Sequence, residues 1–304
     1  MRNRTYVLFL FYALLLLFYP GNSDYFRVIA YNRRLFTPKA ISLPEITLPP
    51  IPTVVNSTYP PITAYSAYVV DFPTFVPVLS INAHERLYPA STTKIITALV
   101  ALDLYKPDDV ITVKTIKDEG QTMGLVMNER ITIENLLYGL LVHSGNDAAY
   151  AIADASGYDT FIDLMNKKTK ELGMKNSHFK NPAGLDNSEQ YSTAYDLAVA
   201  SRELLMNPFL KKIVGTKEII ISDVDYQIFH KLSNVNKLLG EIQGIGGLKT
   251  GYTEFAGENL VSLYKKDGHE YIIVILKSQD RFEDTRQLVE WIKSQVTYQT
   301  PVIE

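Results

Sequence analysis

The segment from Ser91 to Tyr105, STTKIITALVALDLY, is apolar on nearly every face, and this restricts the fold more than any other feature. A helix without a polar stripe has to be covered on all sides, so the chain must supply enough further structure to enclose it. The helix stops before Pro107. Helical patterns continue to Leu210, over Ile131 to Ser144, Asn146 to Ala155, Phe161 to Gly173 and Thr193 to Leu205. Strand patterns lie on either side of this helical middle. Ser66 to Asp71 and Pro77 to Ile81 precede it; Glu218 to Ile221, Tyr226 to His230, Gly257 to Tyr264 and Tyr271 to Lys277 follow it, and Glu283 to Ser294 reads as a closing helix. The arrangement predicts an α+β domain: an antiparallel sheet built from N- and C-terminal segments with flanking helices, plus a helical lobe. A site is expected in the cleft between the lobes. No internal repeat is present.

The N-terminus predicts export. Arg2 and Arg4 precede an uncharged, mostly apolar run from Thr5 to Tyr19, which Pro20-Gly21 ends. Fifteen helical residues span about 22 Å, short of the ~30 Å hydrocarbon core. Gly21 and Ser23 offer a cleavage spacing without an AxA-like site, so residues 1–23 read as a signal peptide or an N-terminal membrane anchor. The basic end stays inside and the remainder goes out, anchored to the membrane or released from it. Seven of the fifteen prolines crowd Pro38 to Pro61, which marks 24–61 as an extended linker. A single mixed domain over 62–297 and a short tail, 298–304, complete the expected organisation.

Composition narrows the chemistry. Thirty Lys+Arg against 33 Asp+Glu, a net charge of -3, provide no basic field for nucleic acid. The absence of cysteine removes disulfides, thiolate nucleophiles and sulfur-ligand metal sites, and five scattered histidines form no HExxH. No metal or other cofactor is expected. Covalent chemistry then falls to Ser, Thr, Lys or a carboxylate.

Ser91-Thr92-Thr93-Lys94 supplies such a pair, because residues three apart on a helix share a face. A serine in the first helical turn also has free backbone N–H groups and the positive dipole end beside it, which suit an oxyanion. A lysine amine acts as a base only when burial or a neighbouring cation lowers its pKa. Two further SxxK matches, Ser177 to Lys180 and Ser262 to Lys265, read as solvated polar pairs. Ser144-Gly145-Asn146 falls between two helices, where a hydroxyl and a carboxamide can enter a cleft; ordinary capping, with Gly145 as the left-handed residue, is the other reading. Lys249-Thr250-Gly251 follows Gly246-Gly247 and suits a strand edge where a substrate backbone passes closely and its carboxylate meets Lys and Thr; a polar turn is the alternative. His143 reads as a helix-end residue, and Lys117 to Arg130 as a loop near the cleft.

In order, SxxK, SxN and KTG form the signature set of penicillin-binding proteins and class A β-lactamases. The longer strings PASTTKIITALVAL (Pro89 to Leu102), LLVHSGNDAAYAIA (Leu140 to Ala153), NPAGL (Asn181 to Leu185), YSTAYDLA (Tyr191 to Ala198) and GLKTGYTEFAG (Gly247 to Gly257) resemble the low-molecular-mass serine D-alanyl-D-alanine carboxypeptidases. The likeness runs from about Tyr65 to Trp291. It implies a β-lactamase/transpeptidase-like fold and removal of the terminal D-alanine from peptidoglycan stem pentapeptides through an acyl-enzyme, with β-lactams as covalent inhibitors. Carried over by position, it makes Ser91 the nucleophile, Lys94 its base and Ser144 a proton relay. Asn146 would hold the substrate amide, and Lys249, Thr250, Gly251 and Tyr252 the terminal D-alanine, with Lys249 helping to keep Lys94 neutral. The N–H groups of Ser91 and Tyr252 would form the oxyanion hole. A D,D-endopeptidase uses the same residues; a class A β-lactamase would need an ExxLN-like loop that Glu171 to Asn176 does not match, and a non-catalytic penicillin sensor would not need the full set. Three departures stand out. No C-terminal β-rich domain or amphipathic anchor is seen before Glu304, so any tether is expected at Thr5 to Tyr19; the hairpin Asp71 to Ile81 lacks the family's usual glycine; and Gly246 stands where relatives often carry Asp.

Overall fold

The computed structural model describes residues 2–17, 49–56 and 58–299, which fall into two units divided after Leu48. In the first, α1 (Arg2–Leu17) is the only described element, with sixteen residues extending about 24 Å. Among the described residues, no helix is long and apolar enough to cross a membrane. The Pro20-Gly21 break, the spacing at Gly21 and Ser23, the linker up to Leu48 and the tail beyond Gln299 lie outside the described residues.

The second unit runs β1 (Ile51–Val54), β2 (Ser66–Asp71), β3 (Pro77–Ile81), a 3-10 turn (Ala90–Thr93) continuing as α2 (Lys94–Leu104), β4 (Val110–Thr112), β5 (Arg130–Thr132), α3 (Ile133–Leu141), α4 (Asn146–Ser156), α5 (Tyr158–Glu171), α6 (Ala194–Met206) and α7 (Pro208–Val214). It closes with β6 (Glu218–Ser222), β7 (Phe229–Ser233), β8 (Ile245–Thr253), β9 (Gly257–Lys266), β10 (His269–Ser278), α8 (Arg281–Gln295) and β11 (Val296–Gln299).

A five-stranded antiparallel sheet, ordered β3-β2-β10-β9-β8, joins the two ends of the domain as the sequence predicts. Side-chain alternation along its strands creates two cores. Tyr68 and Val70 of β2, with Ile272, Val274 and Leu276 of β10, face the helical lobe. Ala67 and Val69, with Ile273 and Ile275, face Leu288, Val289, Trp291 and Ile292 of α8. In α2, all residues from Lys94 to Ala101 are buried, which is the enclosure its sequence demands. Each fully buried Ile or Leu there contributes about 1.5–3 kcal/mol. Thr132, Thr193, Asn207 and Asp280 cap α3, α6, α7 and α8 with side-chain acceptors.

The structure departs from the sequence reading at several places. The proline-rich stretch expected as linker through Pro61 carries β1, which pairs with β11; Val55 N donates to Gln295 O at 2.8 Å and Trp291 Nε1 to Thr58 O at 2.7 Å. The short run Ile51-Pro52-Thr53-Val54 can serve as an edge strand despite its proline. The strand expected from Tyr226 begins at Phe229 instead, because Asp223 Oδ1 accepts from Gln227 N and Ile228 N and so holds those residues in the turn. The glycine-free turn after β2 places Phe75 at φ 59°, with Asp71 Oδ2 accepting from Thr74 N at 3.0 Å. Lys249-Thr250-Gly251 lies on a strand rather than in a polar turn: β8 starts at Ile245 and passes Gly247 at a register shift against β9.

Candidate active site

Ser91 lies in the 3-10 turn that leads into α2, and Lys94 is the first residue of α2. One turn separates them, so Lys94 Nζ lies 2.9 Å from Ser91 Oγ. The amine is fully enclosed and donates to Asn146 Oδ1 and to Ala183 O, both at 2.6 Å. Burial drives its pKa well below the ordinary lysine value and the nearby Lys249 ammonium adds to the effect, against an opposing pull from Asp147. A neutral amine has two N–H groups and one lone pair. The two carbonyl oxygens can take both hydrogens, which leaves the lone pair for the Ser91 hydroxyl.

The KTG strand is the outer strand of the sheet and crosses directly against this turn. A Cβ at Gly251 would come 3.0 Å from Ala90 Cβ and 3.1 Å from Ser91 N and Pro89 O, tighter than ordinary contact, so glycine favours the close approach. Thr250 is buried, and the Tyr252 side chain is exposed beside the cleft. Lys249 Nζ donates to Ser144 Oγ at 2.8 Å and to Thr250 O at 2.9 Å. Burial first, then the Arg281 guanidinium, lower its pKa to about 7.

Ser144, not Gly145, takes the left-handed conformation after α3: φ is 63° at Ser144 and -58° at Gly145. This overturns the simple capping reading, since a left-handed L-residue costs about 1–2 kcal/mol and glycine was available next door. The strained turn holds the Ser144 hydroxyl against Lys249. Asn146 opens α4, and both ends of its carboxamide are engaged, with Nδ2 donating to Glu119 O at 2.6 Å.

Three contributors were given no role by the sequence reading, although Asp147 and Ala183 lie inside strings it singled out. Arg281 Nη1 donates to Gly251 O at 2.9 Å, and among the described residues its buried Nε has no partner. Asp147 accepts from Met123 N and Gly124 N at 2.9 Å and Leu125 N at 3.0 Å, stapling the loop expected near the cleft to α4. The third is a backbone atom, the carbonyl of Ala183. Only the position of Arg281 just after the Asp280 cap of a charged helix hinted at anything.

The lesser candidates are occupied elsewhere. His143 bonds Gln121 Nε2 at 2.8 Å and Ser233 O at 3.3 Å. Ser177 Oγ donates to Asp196 Oδ2 at 2.7 Å, while Lys180 pairs with Glu189 at 3.0 Å. Ser262 is buried inside β9, and Lys265 pairs with Glu270 at 2.6 Å.

Comparison with known proteins gives the same picture. A family model described as D-alanyl-D-alanine carboxypeptidase (Peptidase_S11) matches residues 53–280. The D-alanyl-D-alanine carboxypeptidase DacF of Bacillus subtilis (strain 168) is 36% identical over 239 residues, 75% of this chain and 61% of DacF. DacD of Escherichia coli (strain K12), also a D-alanyl-D-alanine carboxypeptidase, is 34% identical over 253 residues, 76% of this chain and 63% of DacD. The match therefore spans about three fifths of these relatives' lengths. Among solved structures, the Streptomyces K15 DD-transpeptidase superposes with a TM-score of 0.73 at 29% identity, over 77% of this chain and 98% of that one. The D-alanyl-D-alanine carboxypeptidase DacD from Francisella tularensis gives 0.73 at 28%, over 80% and 73%.

Proposed function

The chain belongs to the D-alanyl-D-alanine carboxypeptidase family, and on that premise we propose that it removes the terminal D-alanine from peptidoglycan stem pentapeptides. The observation that carries the reading is the Lys94 amine, buried and poised 2.9 Å from Ser91 Oγ. Ser91 Oγ attacks the carbonyl carbon of the penultimate D-alanine, and its proton passes to Lys94 Nζ. The N–H groups of Ser91 and Tyr252 receive the negative oxygen that forms. The C–N bond then breaks, and the departing amine takes the proton that Lys94 received, relayed through the Ser144 hydroxyl, which leaves Lys94 neutral again. Water attacks the resulting ester, gives a proton to Lys94 and frees Ser91 as a hydroxyl again.

Lys249, Thr250 and Gly251 receive the terminal carboxylate. Arg281, 2.9 Å from Gly251 O, adds charge that suits the same anion. A carboxylate arriving there favours the charged form of Lys249, whose pKa of about 7 otherwise leaves it half protonated at neutral pH. Asn146 positions Lys94 with its oxygen and keeps one amide N–H for the substrate backbone. β-Lactams acylate Ser91 in the same way. Residues 1–23 serve as export signal or anchor, 24–48 form the tether, and catalysis takes place outside the membrane.

Incubating the full chain with purified muropeptides tests the reading by mass. Loss of one alanine from pentapeptide stems is expected. Conversion of crosslinked dimers to monomers would assign an endopeptidase instead, and unchanged muropeptides with folded protein would overturn peptidase function.

A further inference from the structure

The NPAGL segment, Asn181 to Leu185, supplies the Ala183 carbonyl to Lys94, and it aims two successive carbonyls at α2. Pro182 O accepts from Thr97 Oγ1 at 2.6 Å and Ala183 O from Lys94 Nζ at 2.6 Å. Lys94 and Thr97 are three residues apart and so share a helix face. The loop's N–H groups turn the opposite way. Asn181 Oδ1 accepts from Ala183 N at 3.2 Å, Gly184 N at 2.7 Å and Leu185 N at 3.0 Å, while its Nδ2 donates to Leu185 O at 2.9 Å. Gln190 Oε1 secures the approach by accepting from Lys180 N and Asn181 N. Gly184, at φ 90°, presses onto the peptide before Ser91: a Cβ there would lie 1.9 Å from Ala90 O.

We propose that Asn181 is a positioning residue for the base: by gathering the loop's N–H groups it turns the Ala183 carbonyl onto Lys94 and fixes the rotation of the amine. The inference rests on the reading of Lys94 as general base. Asn146 Oδ1 and Ala183 O are acceptors only, and together they occupy both hydrogens of a neutral amine. Its lone pair is then directed at the Ser91 hydroxyl. After proton transfer, the new N–H lies along that same line and the other two bonds stay in place, so the amine can take and return a proton without reorienting. With the Ala183 carbonyl released, the amine rotates freely and can present an N–H to Ser91 instead. The base would be present but misaimed.

Stopped-flow acylation of the full chain by a fluorescent penicillin separates the noncovalent constant K from the acylation rate constant k2 per titrated active site. In Asn181→Ala, k2 is expected to fall about 10- to 100-fold with K within about twofold. Thr97→Val, which removes only the Pro182 tether, should lower k2 several-fold, with Thr97→Ser restoring it. A purely architectural role would instead lower the active fraction or weaken K. Unchanged k2, or a fall in k2 matched by K, overturns the proposal. If Asn181→Ala does not fold, the Thr97→Val and Thr97→Ser pair decides alone. Normal acylation without muropeptide turnover would overturn the peptidase reading only, and an unmodified chain that penicillin does not acylate would overturn both.

Discussion

Replacing Lys249 with methionine should make the protein more stable at low pH while destroying its proposed carboxylate site. A lysine pKa lowered from 10.5 to about 7 corresponds to about 5 kcal/mol. Lys249 is only 2% exposed, so solvent does little to screen the effect. Below pH 7 the folded and unfolded chains both carry the proton, and the full cost of the buried charge is present. Between pH 7 and 10.5 the unfolded chain keeps a proton that the folded chain has shed, so stability climbs with pH. From pH 6 to pH 9.5 this single group should stabilise the unmodified protein by about 3 kcal/mol. Lys249→Met removes that dependence and loses two hydrogen bonds, to Ser144 Oγ and Thr250 O, worth about 1 kcal/mol each. The variant should therefore be about 3 kcal/mol more stable at pH 6 and about equal at pH 9.5. Relief of Lys94 from its neighbouring cation acts in the same direction. Urea denaturation of both proteins at pH 6, 7.5 and 9.5 measures the difference. A difference constant to within about 1 kcal/mol across that range would refute the reasoning.

Asp147→Asn leaves a single carboxamide oxygen for three loop N–H groups, and should cost about 2–4 kcal/mol in urea denaturation and open 117–130 to limited proteolysis. Gly184→Ala forces a methyl group onto Ala90 O and should destabilise by about 3 kcal/mol or more, read by thermal melting, with acylation falling alongside. Truncation to residues 49–304 gives the reference melting temperature for the second unit. Truncation to 62–304 removes β1 and the Thr58 partner of Trp291 and should lower it by several degrees.

What could be read from the chain was what lies close together in it. Ser91 and Lys94 sit within one helical turn, and the i, i+3 rule suffices to join them. Short apolar, β-branched runs likewise exposed β2 and β10 before any partner was known. The missed features depend on distant partners or on backbone geometry. Arg281 reaches Gly251 across thirty residues and belongs to no motif. β1 finds β11 more than two hundred residues away, and its proline disguised it as linker. In Ser144-Gly145-Asn146 the glycine pointed to the wrong residue, because tertiary contact with Lys249, not local preference, decides which one takes positive φ. The alternative of a polar turn at Lys249-Thr250-Gly251 fails because one strand runs from Ile245 to Thr253, passing the two glycines at a bulge.

The position of β2 has a consequence for how the molecule is made. Its neighbour in the sheet is β10, with Asp71 opposite Tyr271, two hundred residues later. No stretch of nascent chain shorter than that can close the sheet, so the order of assembly is constrained. The helices from Lys94 to Val214 have their partners nearby in the chain and can form first. The strand that completes the sheet, and with it the seat of KTG beside Ser91, comes last, so the site forms only after nearly the whole chain has been made.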